Sequence, residues 1–180
     1  MKVIFLDFDG VLNSEYHLHR CHQLELDTED DYGTVFDPMC VDNLRQIVER
    51  TGACVVLITS WKRMGEEPMH QLWEGRNMPG RLLGITPNDV PAPTAQCDDD
   101  GMLPEGFCLF SLASKGREIE EWMRRNGEPE SYVIIDDWPD FTPDQQSHYL
   151  RTDPYAGLTT KDVERAVSLL GHQNSPTLQH

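Results

Sequence analysis

Three short apolar runs stand out along the chain: Val3-Ile4-Phe5-Leu6, Cys54-Val55-Val56-Leu57-Ile58 and Tyr132-Val133-Ile134-Ile135. None alternates with polar residues. Each therefore reads as a strand buried on both faces, the pattern of a parallel sheet covered by helices. Between the runs the period changes. Val41, Leu44, Ile47 and Val48 fall on one face of a helix that Asp37-Pro38 opens and Gly52 ends. A second helix is predicted from Gly65 to about Asn77, with Met69, Leu72 and Trp73 inward. A third starts at Ser114, turns Ile119, Trp122 and Met123 to the core and closes at Gly127. A fourth follows the capping box Thr159-Thr160-Lys161-Asp162, carries Val163, Ala166, Val167 and Leu170, and stops at Gly171. Strands separated by helices favour right-handed parallel crossovers. The prediction is an α/β, Rossmann-like three-layer sandwich with a central, mostly parallel sheet.

Other stretches carry weaker patterns. Residues 13–37 read as a long excursion with several acids. Residues 79–106, rich in Pro, Gly and Asp, read as irregular, and Asp98-Asp99-Asp100 as a solvated loop run. Residues 147–151 are compatible with a short strand or a short helix. Neither the excursion nor the region 65–113 is long and apolar enough for a full cap domain, so an open site with a minimal cap, or none, is expected. Residues 1–171 are expected to form one domain and 172–180 a polar, flexible tail.

The ends of the apolar runs bring in chemistry. The first stops at Asp7 with Asp9 two positions on, the second at Thr59-Ser60, the third at Asp136-Asp137. Carboxylates at a strand mouth are costly unless something pairs with them, and a divalent cation is the simplest partner for several hard oxygen donors. Open α/β sheets bind ligands beyond the carboxyl ends of their strands, so these three ends converge on one cleft. A plainer reading stands beside this one: acids capping a strand, hydroxyls serving turns, and Lys115 solvated in the first turn of a helix.

The motifs also carry a resemblance. Asp7-Phe8-Asp9-Gly10-Val11-Leu12 resembles the first motif of the haloacid dehalogenase (HAD) superfamily. Ile58-Thr59-Ser60 resembles its second, Lys115 its third, and Ile134-Ile135-Asp136-Asp137 its fourth. More narrowly, Thr59-Ser60-Trp61-Lys62, Lys115-Gly116-Arg117-Glu118-Ile119 and Arg151-Thr152-Asp153-Pro154 with Gly157-Leu158-Thr159 resemble the HAD domain of multidomain RNA-repair proteins. The resemblance implies a phosphohydrolase of the branch with two acids in its first motif. Asp7 would be the nucleophile, and Asp9 the acid that protonates the leaving oxygen and then deprotonates water. Mg²⁺ would be held by Asp7, the Asp9 carbonyl and Asp136, with Asp137 as a further ligand or as a partner orienting Lys115. Thr59, Ser60, Lys62 and Lys115 would bind the phosphate or its carrier, Lys115 also neutralising charge during transfer. The alternative is a non-catalytic protein that keeps the metal and phosphate site for regulation. A phospho-acceptor receiver domain fits less well, because the 54–58 run ends in Thr59 rather than an acid.

Charge and cysteine content narrow the partners. The chain has 180 residues and a formal net charge of −16, which repels extended duplex nucleic acid and anionic membranes. A local site for one phosphate group is still compatible with it. A phosphorylated small molecule or a nucleic-acid end is the expected substrate. The five cysteines show no paired spacing, which fits free thiols in the cytoplasm, and no apolar run is long enough to span a membrane.

Overall fold

The three apolar runs lie side by side in the middle of one sheet. A computed structural model describes residues 1–90 and 114–171. The expectations for Asp98–Asp100, Cys97, Cys108 and the tail 172–180 lie outside the described residues. β1 (Lys2–Leu6) is the central strand. On one side of it come β4 (Cys54–Leu57) and β5 (Leu82–Ile85), on the other β6 (Ser131–Asp136) and β7 (Tyr149–Arg151). All four pairings are parallel, and Phe5 sits opposite both Val56 and Ile134.

Alternation along β1 divides the core. Ile4 and Leu6 face the helices α2 (Pro38–Thr51), α3 (Glu66–Gly75) and α5 (Thr160–Gly171), packing with Leu44, Ile47, Leu72 and Val163. Val3 and Phe5 face α4 (Ser114–Asn126), meeting Ile119 and Trp122. Helices thus cover both faces, giving the three-layer α/β architecture. The helix boundaries follow local chemistry. Asp37 caps α2 by accepting from the Met39 amide at 2.9 Å, and Gly52 ends it in the left-handed region at φ 68°.

One stretch differs from expectation, and another settles an open choice. Residues 82–85, inside the segment read as irregular, form the edge strand β5; the strand is only four residues long and contains Gly84, so no apolar run announces it. The open choice at 147–151 resolves into a 3-10 turn over Pro143–His148 that leads directly into β7. The excursion between β1 and α2 holds α1 (Glu15–Gln23) and a small ribbon of β2 (Glu29–Asp30) and β3 (Gly33–Thr34). Arg76 clamps that ribbon to the end of α3. Its guanidinium pairs with both Asp30 carboxylate oxygens (2.7 and 3.0 Å), donates to the Gly33 and Thr34 carbonyls, and lies 4.2 Å from the Phe36 ring centroid. Among the described residues, no helix is long and apolar enough to cross a membrane.

Candidate active site

Strand order explains where the site forms. The chain runs from β1 outward to β4 and β5, then returns to the opposite side of β1 as β6, so the order reverses between β1 and β6. The crevice at such a reversal is where open parallel sheets bind ligands. Asp7 follows the end of β1, and Asp136 ends β6.

The turn after β1 is built by its own backbone. The amides of Val11, Leu12 and Asn13 all donate to the Phe8 carbonyl, at 3.1, 2.8 and 3.2 Å. Gly10 has φ +70°, and a Cβ there would stand 2.7 Å from Cγ of Asp137, so only glycine lets the β1 and β6 loops meet. Within this turn Asp7 Oδ1 accepts from the Phe8 amide at 2.7 Å. Asp9 points outward and is held at both oxygens. Asn13 Nδ2 donates to its Oδ1 at 2.7 Å, and Trp61 Nε1 donates to its Oδ2 at 3.0 Å.

Asp136 is fully buried. Its Oδ1 accepts from the Trp138 amide at 2.8 Å. Its Oδ2 accepts from Lys115 Nζ at 2.6 Å, and the same ammonium donates to Asp7 Oδ2, also at 2.6 Å. Lys115 is therefore the cation bridging the ends of the two central strands. Its helix start is fixed from below: Asp140 accepts the Lys115 amide at Oδ2 (3.1 Å) and the Gly116 amide at its carbonyl (3.0 Å). A Cβ on Gly116 would stand 2.8 Å from the Thr142 amide nitrogen, so this close seat too requires glycine.

Burial and charge act together on the cluster. Burial raises the Asp136 pKa well above the ordinary carboxylate range, and repulsion from Asp7 adds to it, outweighing Lys115. Asp137 is raised for the same two reasons. Burial works against the Lys115 charge, but Asp7 and Asp136 more than offset it, so its pKa lies above the usual lysine value. One carboxylate oxygen from each of Asp7, Asp136 and Asp137 lies within 4.8 Å of the others. Three acids face one ammonium. That leaves a deficit of positive charge in a set of hard oxygen donors, and Mg²⁺ fits both the charge and the chemistry.

The second strand end is arranged differently. Thr59 is fully buried, and its hydroxyl accepts from the Trp61 amide at 3.3 Å, capping a 3-10 turn over Ser60–Met64. Ser60 is exposed. Trp61 is both packed and polar: its ring meets Phe8 edge-on (5.5 Å, 89°) while its N–H reaches Asp9. Lys62 departs from the expected substrate contact. The 3-10 turn swings it inward, to 4 % exposure, where Nζ donates to Glu118 Oε2 (2.7 Å), Thr86 Oγ1 (2.9 Å), and the carbonyls of Thr86 and Pro87 (3.2 Å each). A lysine so saturated has no donor left for a ligand.

The structure thus brings Asp7, Asp136, Asp137 and Lys115 into one cluster, sets Asp9 at its rim, keeps Thr59 at the end of the neighbouring strand, and removes Lys62 to the interior. Asn13 and Asp140 belong to no motif singled out in the sequence, and Glu118 and Arg151 stand there only as motif members without a role of their own. Asn13, four residues after Asp9, carried a local signal, since Asn side chains readily bond nearby turn groups. The others act across long sequence separations. Arg151 Nε donates to the Asp137 carbonyl at 3.0 Å, and Thr152 Oγ1 donates to the Gly10 carbonyl at 2.9 Å, tying β7 to both acidic turns.

The family model described as the HAD domain in Swiss Army Knife RNA repair proteins matches residues 3–163. No curated protein and no solved structure matches the chain.

Proposed function

The chain belongs to the family of HAD domains in Swiss Army Knife RNA repair proteins, and from that premise we propose that it is a Mg²⁺-dependent phosphomonoesterase acting through an aspartyl-phosphate on Asp7. The observation that carries the proposal is the Lys115 ammonium, 2.6 Å from both Asp7 Oδ2 and Asp136 Oδ2. It fixes one Asp7 oxygen at the end of β1, while the Phe8 amide fixes the other, and so orients the carboxylate as a nucleophile requires.

In this reading an Asp7 oxygen attacks phosphorus and the bond to the leaving oxygen breaks. Asp9, positioned by Asn13 and Trp61, gives that oxygen its proton. It then takes a proton from the water that cleaves the acyl phosphate, releasing inorganic phosphate and restoring Asp7. Thr59 donates to a phosphate oxygen, and Lys115 balances charge on the phosphoryl group as it transfers. Asp7, Asp136 and Asp137, with the Asp9 carbonyl, would hold Mg²⁺, which when bound reduces repulsion between the anionic nucleophile and the anionic substrate. The family description favours a phosphorylated nucleic-acid end over a small enclosed metabolite.

The test is hydrolysis of an aryl phosphate, nucleoside monophosphates, sugar phosphates, and 3′- and 5′-phosphorylated oligonucleotides, each with Mg²⁺ and with EDTA. The expected result is Mg²⁺-dependent phosphate release, greatest on an oligonucleotide end. Tight binding of metal and phosphate analogues without turnover of any substrate would instead favour a regulatory phosphate-binding protein.

A further inference from the structure

Residues 151–155 leave the mouth of the site and are tied to it along their length. Arg151 bonds the Asp137 carbonyl and Thr152 the Gly10 carbonyl. The carbonyls of Pro154 and Tyr155 accept from the amides of Glu15 and Tyr16 at the start of α1, both at 3.0 Å. A continuous rim of at most about 14 Å of chain therefore leads from the acidic end of β6 to α1.

The side chains on this rim differ from the rest of an acidic surface. Tyr16 and Tyr155 meet edge-on at 5.8 Å yet stay 48 % and 54 % exposed. Arg20 lies one turn beyond Tyr16 on the same face of α1 and is exposed. Neither Arg20 nor Arg151 forms an ion pair with a carboxylate among the described residues. Grooves of about 520 and 390 Å³ flank the tyrosine pair, and Tyr16, Arg20 and Tyr155 line both. His17 extends the first and His19 the second.

Flat aromatic surfaces beside two guanidinium groups that form no direct ion pair among the described residues match a chain of bases joined by phosphates. They are complementary in charge to a polyanion in a protein whose net charge otherwise repels one. Glu15 and Asp153 lie on the same rim, so attraction is confined to the short range at which a single strand lies against it; the Asp153 carboxylate already accepts from the Tyr155 amide at 3.0 Å. We propose that the Arg151–Tyr155–Tyr16–Arg20 rim is a track for the single-stranded polynucleotide whose terminal phosphate enters the carboxylate cluster. This rests on the phosphatase reading above and adds the surface that holds its polymeric substrate.

The decisive experiment separates binding from turnover. Fluorescence anisotropy in EDTA compares a ten-nucleotide single strand of RNA bearing a terminal phosphate, its DNA counterpart and the corresponding duplex, for the wild-type chain and for Tyr155→Ala, Tyr155→Phe and Arg20→Glu. Single strands should bind more tightly than duplex. Tyr155→Ala should weaken them at least about fivefold, with Tyr155→Phe retaining affinity. Arg20→Glu should also weaken binding and lower the salt slope by about one. With Mg²⁺, both Tyr155→Ala and Arg20→Glu should reduce the ratio of kcat/KM on the phosphorylated strand to kcat/KM on an aryl phosphate. Duplex binding as tight as single-strand binding, or variants indistinguishable from wild type in affinity, overturns the track. Absence of any phosphate release overturns the phosphatase reading, while anisotropy still decides whether the track exists.

Discussion

Lys62 and Glu118 form an ion pair of 2.7 Å with side-chain exposures of only 5 % and 16 %, joining the turn after β4 to the helix that carries Lys115. Burial pushes the Lys62 pKa down, and Glu118 works against that shift by favouring the charged form. Glu118 lies one turn from Lys115 on α4, so the pair fixes how that helix presents its first turn to the acids. Lys62→Met leaves the largely buried Glu118 carboxylate without its cation, with only the Thr86 hydroxyl still donating to it at 3.3 Å, and should destabilise the chain by about 3 kcal/mol in urea unfolding. Lys62→Met combined with Glu118→Leu should recover most of that loss. A single variant as stable as wild type would mean that the pair positions nothing.

Lys115 supplies the positive charge between Asp7 and Asp136. Lys115→Met should lower kcat by at least about a hundredfold. The metal-free variant should melt below wild type, because two buried carboxylates then face each other uncompensated. Mg²⁺ should raise the melting temperature of the variant more than that of wild type, a difference read directly by differential scanning fluorimetry. Equal shifts would contradict the charge deficit assigned to the cluster.

Trp61 joins packing to chemistry through its bond to Asp9. Trp61→Phe keeps an aromatic ring against Phe8 but removes the N–H that holds Asp9 Oδ2. Stability should change by about 1 kcal/mol or less, whereas kcat should fall between roughly tenfold and a hundredfold as Asp9 loses one of its two anchors. A fall in stability with unchanged kcat would reduce Trp61 to a packing residue.

Cys40 is 1 % exposed, and burial, with the Asp37 charge adding to it, pushes its thiol up to about 12. Only the thiolate reacts, so at pH 8 the reactive fraction is on the order of one in ten thousand. Peptide mapping after iodoacetamide treatment should find Cys40 unmodified in the folded chain and modified in step with urea unfolding. Alkylation of native Cys40 within minutes would contradict its burial between α2 and the 156–158 loop.

β1, β4 and β6 were legible because strands covered on both faces must be apolar throughout, and each run ends where a reactive group begins. β5 was not, and β7 was only one of two readings for its stretch, both being edge strands, of four and three residues, with too little buried surface to impose a pattern. The ribbon of β2 and β3 was invisible for another reason: its anchor, Arg76, lies 46 residues from Asp30. Lys62 follows the same rule. Its neighbours in sequence suggest a ligand contact, but its direction is set by a 3-10 turn and by Glu118, 56 residues away. The cluster itself was legible as residue types at strand ends. That Lys115 bridges Asp7 and Asp136 while Asp9 stands apart, held by Asn13 and Trp61, emerged only from the folded geometry.

The role of Asp7 is tested most directly by trapping. The chain is mixed with Mg²⁺ and an oligonucleotide carrying a radiolabelled terminal phosphate, then quenched in acid within milliseconds to seconds. The prediction is label on the peptide containing Asp7, released by hydroxylamine and absent from Asp7→Asn, which should also lack turnover. Full turnover by metal-clean Asp7→Asn, or label on a different residue of the wild-type chain, would contradict the assignment of Asp7 as the nucleophile.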